Sequence, residues 1–172
     1  MVSIIIPIYN PGDKLRVCLD SIKSQTYHDI EVLMVNDGSK DSSALICKEF
    51  AKEDERFVYI EQENAGVSMA RNKGIVHSHG DYICFVDSDD SVESCYVECM
   101  VKTMEETHVD IVLQGLNNLY DGRLGDKKVF PNLIVKVGEL DDKMFEELFY
   151  FCGPNCKLFR ADYIHNNKIE FP

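Results

Sequence analysis

What most constrains this chain is the alternation of two apolar patterns along it. Short runs rich in β-branched residues occupy Val2–Ile8, Glu31–Val35, Phe57–Ile60, Asp81–Val86 and Asp110–Leu113. The first four are nearly continuous in apolar character, as expected of strands covered on both faces. Between them the spacing becomes helical. Leu15, Cys18, Leu19 and Ile22 fall at i, i+3, i+4 and i+7 and form one stripe. Val97, Met100, Val101 and Met104 repeat that spacing, as do Phe145, Leu148, Phe149 and Cys152. Ser39 and Asp41 offer N-cap chemistry for a further helix running to about Asp54. Strand and helix alternating at this pitch predict βαβ units joined by right-handed crossovers. The expected fold class is α/β, a mostly parallel sheet flanked by helices. After Gln114 the texture changes: Asn117, Asn118, Gly125 and a plausible hairpin turn at Asp121-Gly122 predict a small irregular or antiparallel C-terminal part.

Composition narrows the function classes. At 172 residues and 45% apolar content, the chain can bury one core of ordinary size. It carries 30 acidic against 18 basic residues, a net charge of −12. That balance argues against nonspecific binding to nucleic acid or anionic lipid, both of which want clustered Lys and Arg. No apolar run approaches the roughly 18 residues of a membrane span. The chain enters its first apolar run at Val2 with no basic leader, so no export signal is expected. Its seven cysteines, without CxxC pairs, are then expected to be reduced and mostly buried in a cytoplasmic protein. Cys95 with Cys99, and Cys152 with Cys156, have the i, i+4 spacing of a zinc pair, but no His converges on either, and buried thiols are preferred. His77 and His79 are expected to flank a helix end as surface residues.

The chemistry gathers where strands end. In an open parallel sheet, ligands bind beyond the carboxyl ends of the strands. The first run leads into Pro7-Ile8-Tyr9-Asn10, the second into Asn36-Asp37-Gly38-Ser39 and the fourth into Asp87-Ser88-Asp89-Asp90. Carboxylates collected at one sheet edge repel one another unless a cation or hydrogen bonds offset the repulsion. The Asp-x-Asp-Asp cluster therefore suits a hard divalent ion, Mn²⁺ or Mg²⁺, shared with the oxygens of a diphosphate. The first strand–helix junction lacks the glycine patterns of a dinucleotide site or a P-loop, so a diphosphate here has no glycine-rich cradle.

Four segments together carry a resemblance: Val2–Asn10, Val35–Ser39, Asn64-Ala65-Gly66 with Ala70–Gly74, and Asp87–Asp90. In order and spacing they resemble the family 2 glycosyltransferases, which have the GT-A (Rossmann-like) fold and use nucleotide-sugar donors. The resemblance implies a single GT-A domain over residues 1–172, with 1–114 as the nucleotide-binding half and 115–172 as an incomplete acceptor-side half. It implies that Pro7, Tyr9 and Asn10 lie against the base with Asp37 accepting a hydrogen bond from it. Arg71 and Ser88 would sit near the nucleotide, Asp87 would approach the ribose, and Asp89 would bind the metal.

The resemblance further implies an inverting transfer, a UDP-sugar as donor, and bacterial surface-polysaccharide assembly as the setting. The acceptor would be a saccharide or a lipid-linked one, the latter bringing the full-length protein to the inner face of a membrane. Asn155–Arg160 and Ile169–Pro172 also resemble the family, in which an acidic pair follows a few residues on and supplies the general base. This chain stops before such a pair, so a C-terminally truncated domain is expected, with the base beyond Pro172. Two rival readings remain. One is a nucleotide-sugar-binding domain without turnover. The other is a sugar-phosphate nucleotidyltransferase, which would want a basic, glycine-rich loop where Asn10-Pro11-Gly12-Asp13 stands.

Overall fold

The computed structural model describes residues 1–113 and 153–172, together with the short strands at 119–120, 123–124 and 133–135. The chain opens with β1 (Val2–Ile8), α1 (Lys14–Lys23), β2 (Ile30–Asp37), α2 (Ser43–Glu53) and β3 (Phe57–Gln62). It continues through α3 (Val67–His77), β4 (Tyr82–Phe85), α4 (Tyr96–Thr107) and β5 (Ile111–Leu113). Three short strands follow, β6 (Leu119–Tyr120), β7 (Arg123–Leu124) and β8 (Leu133–Val135), then β9 (Lys157–Arg160) and α5 (Ala161–Asn166). A seven-stranded sheet runs in the order β3-β2-β1-β4-β9-β5-β8. The β1–β2, β1–β4 and β2–β3 pairs are parallel, and the β4–β9, β5–β9 and β5–β8 pairs are antiparallel. This is the α/β, mostly parallel architecture with an antiparallel C-terminal part that the sequence pattern predicts.

Side-chain alternation decides which helices cover which face. Val2, Ile4, Ile6 and Ile8 of β1 point into one core with the α1 stripe (Leu15, Cys18, Leu19, Ile22), with Ile46, Cys47 and Phe50 of α2, and with the α4 stripe. Ile5 points the other way, with Leu33 and Val35, against Ala70 and Ile75 of α3 and Ala161 and Ile164 of α5. Gly74 sets the α3 spacing: a Cβ there would stand 2.3 Å from Cγ2 of Ile5. The helix closes on β1 because that position has no side chain.

Three local expectations are corrected. The Phe57–Ile60 run is not covered on both faces: β3 is the edge strand, and Val58 is 40% exposed. The second helix begins at Ser43 after Ser42, with Asp41 Oδ1 accepting from the Ser43 amide at 3.0 Å, whereas Ser39 accepts from the Asn10 amide at 3.1 Å and caps nothing. The cysteines divide: Cys18, Cys47 and Cys84 are buried, but Cys95 is exposed and Cys99 and Cys156 are half-buried. Burial pushes each of the three buried thiols up to about 12, so they stay protonated. His79 packs on Glu31, donating its amide at 2.6 Å, and His77 Nδ1 lies 2.8 Å from the Lys73 carbonyl; both serve the surface, as expected. The stripe at Phe145–Cys152 and the turn at Asp121-Gly122 lie outside the described residues, although β6 and β7 on either side of that turn pair antiparallel.

Candidate functional site

The order β3-β2-β1-β4 builds outward from β1 in one direction and then restarts on its other side, so the strand order reverses between β1 and β4. Loops leaving neighbouring strands part there and open a crevice. At the end of β1, Tyr9 is 53% exposed, leaving its ring free for an incoming planar group. Asn10 follows with φ of 51°, and its side-chain oxygen accepts from the Lys40 amide at 2.8 Å. Gly12 donates its amide to Asp41 Oδ2 at 2.9 Å. The β1 and β2 loops are thus stitched together, and Asn10 spends its acceptor on that stitching.

Asp37, the last residue of β2, is 2% exposed. Its Oδ1 accepts from Gln62 Nε2 at 2.7 Å and from the Ala65 amide at 2.8 Å, and its Oδ2 accepts from the Gly66 amide at 2.9 Å. Asn64 donates its side-chain amide to the Asp37 carbonyl at 3.2 Å. One buried carboxylate therefore folds the 64–66 loop onto the sheet edge. Gly38 makes the close approach possible: it has φ of 69°, and a Cβ there would lie 2.9 Å from the Asn64 nitrogen. Pro7, Tyr9, Asp37, Asn64, Gly66 and Ala70 line a cleft of about 240 Å³.

At the end of β4 the arrangement differs. Asp87 Oδ1 accepts from Arg71 at 3.1 Å, and its Oδ2 accepts from Asn155 Nδ2. Arg71 comes from α3 and is 13% exposed, with its guanidinium over the Phe171 ring at 5.4 Å. Two buried polar atoms beside this pair, Arg71 Nε and Asn155 Oδ1, have no partner among the described residues. An orphaned donor and an orphaned acceptor flanking one carboxylate are what a hydroxylated ligand would satisfy. Ser88 is buried behind the turn that Asp90 closes by donating its amide to the Asp87 carbonyl at 3.0 Å.

Asp89 is exposed, as is Asp90, with 55% of the Asp89 side chain in solvent and Lys14 Nζ at 3.4 Å from its Oδ2. Burial pushes the Asp90 carboxyl above the ordinary value, and the charges of Asp87 and Asp89 push it further in the same direction. Among the described residues no group of three or more His, Cys, Asp or Glu is arranged to hold a metal ion by itself. The donor set nevertheless fits a hard cation that takes one carboxylate from the protein and the rest of its oxygens from a diphosphate. Asp87 is committed to Arg71 and Asn155, Asp89 is open, and Asp90 registers the repulsion that a cation would relieve.

The structure thus places Pro7, Tyr9 and Asp37 in one cleft and gathers Arg71, Asp87, Ser88 and Asp89 at the adjoining strand end. Asn10 holds the rim. Sequence reasoning missed Asn155 and Phe171 as members of the site. The only signal for them was their place in two late segments similar to the family, because their partners lie 68 residues away for Asn155 and 99 for Phe171.

Comparison with known proteins decides the family. Residues 3–166 match the family model for glycosyl transferase family 2. The chain belongs to that family. It is 53% identical over 144 residues to glycosyltransferase GlyA of Streptococcus pneumoniae, covering 78% of this chain and 21% of that protein. It is 37% identical over 175 residues to a poly(ribitol-phosphate) beta-glucosyltransferase of Bacillus spizizenii, covering 99% of this chain and 27% of the relative. Its fold matches the crystal structure of S. aureus TarS in complex with UDP, with a TM-score of 0.77 and 24% identity, over 99% of this chain and 50% of that one. The chain spans half or less of the length of these proteins. No helix among the described residues is long and apolar enough to cross a membrane.

Proposed function

We propose that this chain forms the donor-binding part of a glycosyltransferase that moves a sugar from a nucleoside diphosphate, with UDP-sugar as the favoured donor, to an acceptor hydroxyl. The observation that carries this reading is the convergence at one reversal of strand order. There, an exposed aromatic ring (Tyr9), a preformed cleft beside Asp37, and an Arg71–Asp87–Asn155 triad with unused hydrogen-bonding atoms adjoin an open carboxylate, Asp89. A base can stack on Tyr9 in the cleft that Asp37 shapes. A ribose can meet the orphaned Arg71 Nε and Asn155 Oδ1, and a diphosphate can reach Asp89 with Lys14 beside it. The TarS complex supports the choice of UDP, and the poly(ribitol-phosphate) relative supports a bacterial surface polymer as acceptor.

In the reaction the acceptor oxygen attacks the anomeric carbon and forms the new C–O bond. The bond from that carbon to the diphosphate oxygen breaks with its electron pair, and a carboxylate takes the hydroxyl proton. Attack from the face opposite the leaving group inverts the anomeric centre. Mn²⁺ or Mg²⁺ held by Asp89 would neutralise charge developing on the departing diphosphate. Arg71 holds Asp87, Asp87 and Asn155 hold the ribose, and Asp37 holds the loop that shapes the base cleft.

The deciding experiment is thermal unfolding with UDP, GDP, dTDP and ADP, each with and without Mn²⁺. A ligand at about 100 times its dissociation constant stabilises by about 2.7 kcal/mol, or roughly 5–10 °C for a domain of this size. A shift with UDP that requires Mn²⁺ supports the full reading. A larger shift with another nucleotide changes the donor, and no shift with any of them removes the donor site.

A further inference from the structure

The donor site is not built from the first half of the chain alone. Two residues past the end of α5, Lys168 takes a left-handed backbone at φ of 50°, and the Ile169 amide donates back to the Ile164 carbonyl at 3.0 Å. That turn sends residues 169–172 across the face of α3. There the Asn72 side chain grips the Phe171 backbone at both of its polar groups. It donates Nδ2 to the Phe171 carbonyl at 3.0 Å, and its Oδ1 accepts the Phe171 amide at 2.8 Å. The grip fixes where the Phe171 ring goes. It stands edge-on to Phe85 at 5.2 Å, and the Arg71 guanidinium lies over it at 5.4 Å. Asn72 is the residue after Arg71, and Phe85 lies two residues before Asp87. One ring thus touches Arg71 and the end of the strand that leads to Asp87.

We infer that Asn72 and Phe171 form a latch by which the C-terminal segment positions Arg71 on Asp87, so that the donor site is complete only when 169–172 is seated on α3. Both residues are positioning residues; neither needs to touch the ligand. The physical basis is a division of labour. Among the described residues Arg71 makes one ion pair, with Asp87, and its Nε finds no partner, so these hydrogen bonds leave the guanidinium plane free to turn about the Asp87 contact. A ring under the guanidinium fixes that plane, because the cation is attracted to the ring face. The Asn72 amide fixes the ring by holding its backbone as a strand neighbour would. The inference rests on the donor-site reading above, which it extends to the later half of the chain.

The test compares Phe171→Leu, Phe171→Tyr and Asn72→Ala with the unaltered full chain, reading UDP affinity by calorimetry in Mn²⁺, thermal stability, and the Arg71 Nε–H resonance by NMR. Phe171→Leu keeps the apolar volume and removes the ring. It is expected to weaken UDP binding by roughly 3- to 10-fold, the range a partly desolvated cation–π contact can transmit, and to move the Arg71 resonance. Phe171→Tyr keeps the ring face and is expected to restore both. Asn72→Ala is expected to weaken UDP to a similar degree, and the double variant should be no worse than either alone, because the two residues act as one device. A Phe171→Leu variant that loses stability while the Arg71 resonance and UDP affinity stay unchanged overturns the latch. The resonance needs no ligand, so it separates the two readings. If the parent chain binds no UDP but the resonance still moves in Phe171→Leu and returns in Phe171→Tyr, the donor reading fails and the latch stands.

Discussion

The carboxyl ends of β2 and β4 each present an aspartate to the same crevice, and the two aspartates do opposite things. Asp37 at the β2 end is sealed, with three N–H donors on its carboxylate and 2% exposure. Asp89 beyond β4 is open, facing solvent with a lysine at 3.4 Å. The difference teaches that an acid at a strand end acts by what it holds. The sealed one holds backbone and so shapes a cavity; the open one keeps its lone pairs for something that arrives. Asp87 stands between these extremes, gripped by Arg71 and Asn155, each of which has an atom with no partner among the described residues.

The comparison breaks most visibly at the sealed end. Asp37→Ala strands the Ala65 and Gly66 amides and the Gln62 side chain. Ala65 and Gly66 are exposed, so water can reach their amides; at about 1 kcal/mol net for each of the three hydrogen bonds lost, the expected loss is about 3 kcal/mol. Calorimetry should then show a fall in Tm of about 6–12 °C, with UDP affinity falling alongside. An unchanged Tm would make Asp37 an open residue like Asp89. Gly38→Ala attacks the same junction through the backbone, by a positive φ and a 2.9 Å approach to the Asn64 nitrogen. The expected cost is about 2 kcal/mol, read from urea midpoints. A neutral outcome would show that the 64–66 loop can back away from the sheet.

At the open end the effects should move from stability to binding. Asp89→Asn should leave Tm within about 1 °C, as for an exposed substitution, while the gain in UDP affinity on adding Mn²⁺ falls by about tenfold or more. Equal UDP affinity in the variant, with the Mn²⁺ response intact, would take the metal away from this residue. The smallest effect belongs to Asp90, whose carboxyl is held above its ordinary value by burial and by its acidic neighbours. A carboxyl with a raised pKa in the fold binds its proton more tightly there than in the unfolded chain. It therefore costs stability as pH rises through that raised value. Asp90→Asn should raise Tm at pH 7 by about 1–2 °C and flatten the decline in stability between acid and neutral pH. The benefit should shrink in Mn²⁺, because a cation relieves the same repulsion.

The parts legible in the sequence were those governed by near neighbours along the chain. Continuous apolar runs located β1, β2 and β4, and helical spacing located α1 and α4, because a short apolar run and a 3.6-residue period are local properties. The strand-end motifs named Tyr9, Asp37, Asp87 and Asp89, the family resemblance added Arg71, and all five lie at or beside the reversal of strand order. Tertiary placement decided the rest. Whether the Phe57–Ile60 run lay inside or at the edge of the sheet depended on how many strands stacked beyond it. The α3 helix shows only Ala70, Gly74 and Ile75 to the core and so leaves no stripe to read. Its contact with β1 rests on the absence of a Cβ at Gly74.

What the sequence determined by itself is the α/β class, the family and the edge of the sheet where the chemistry sits. Which aspartate is sealed and which is open, and that Asn155, Asn72 and Phe171 complete the site, only the tertiary structure decided. The reason is physical: a carboxylate's role follows from the donors around it, and for Asp37 and Asp87 several of those donors come from residues 16 to 68 positions away.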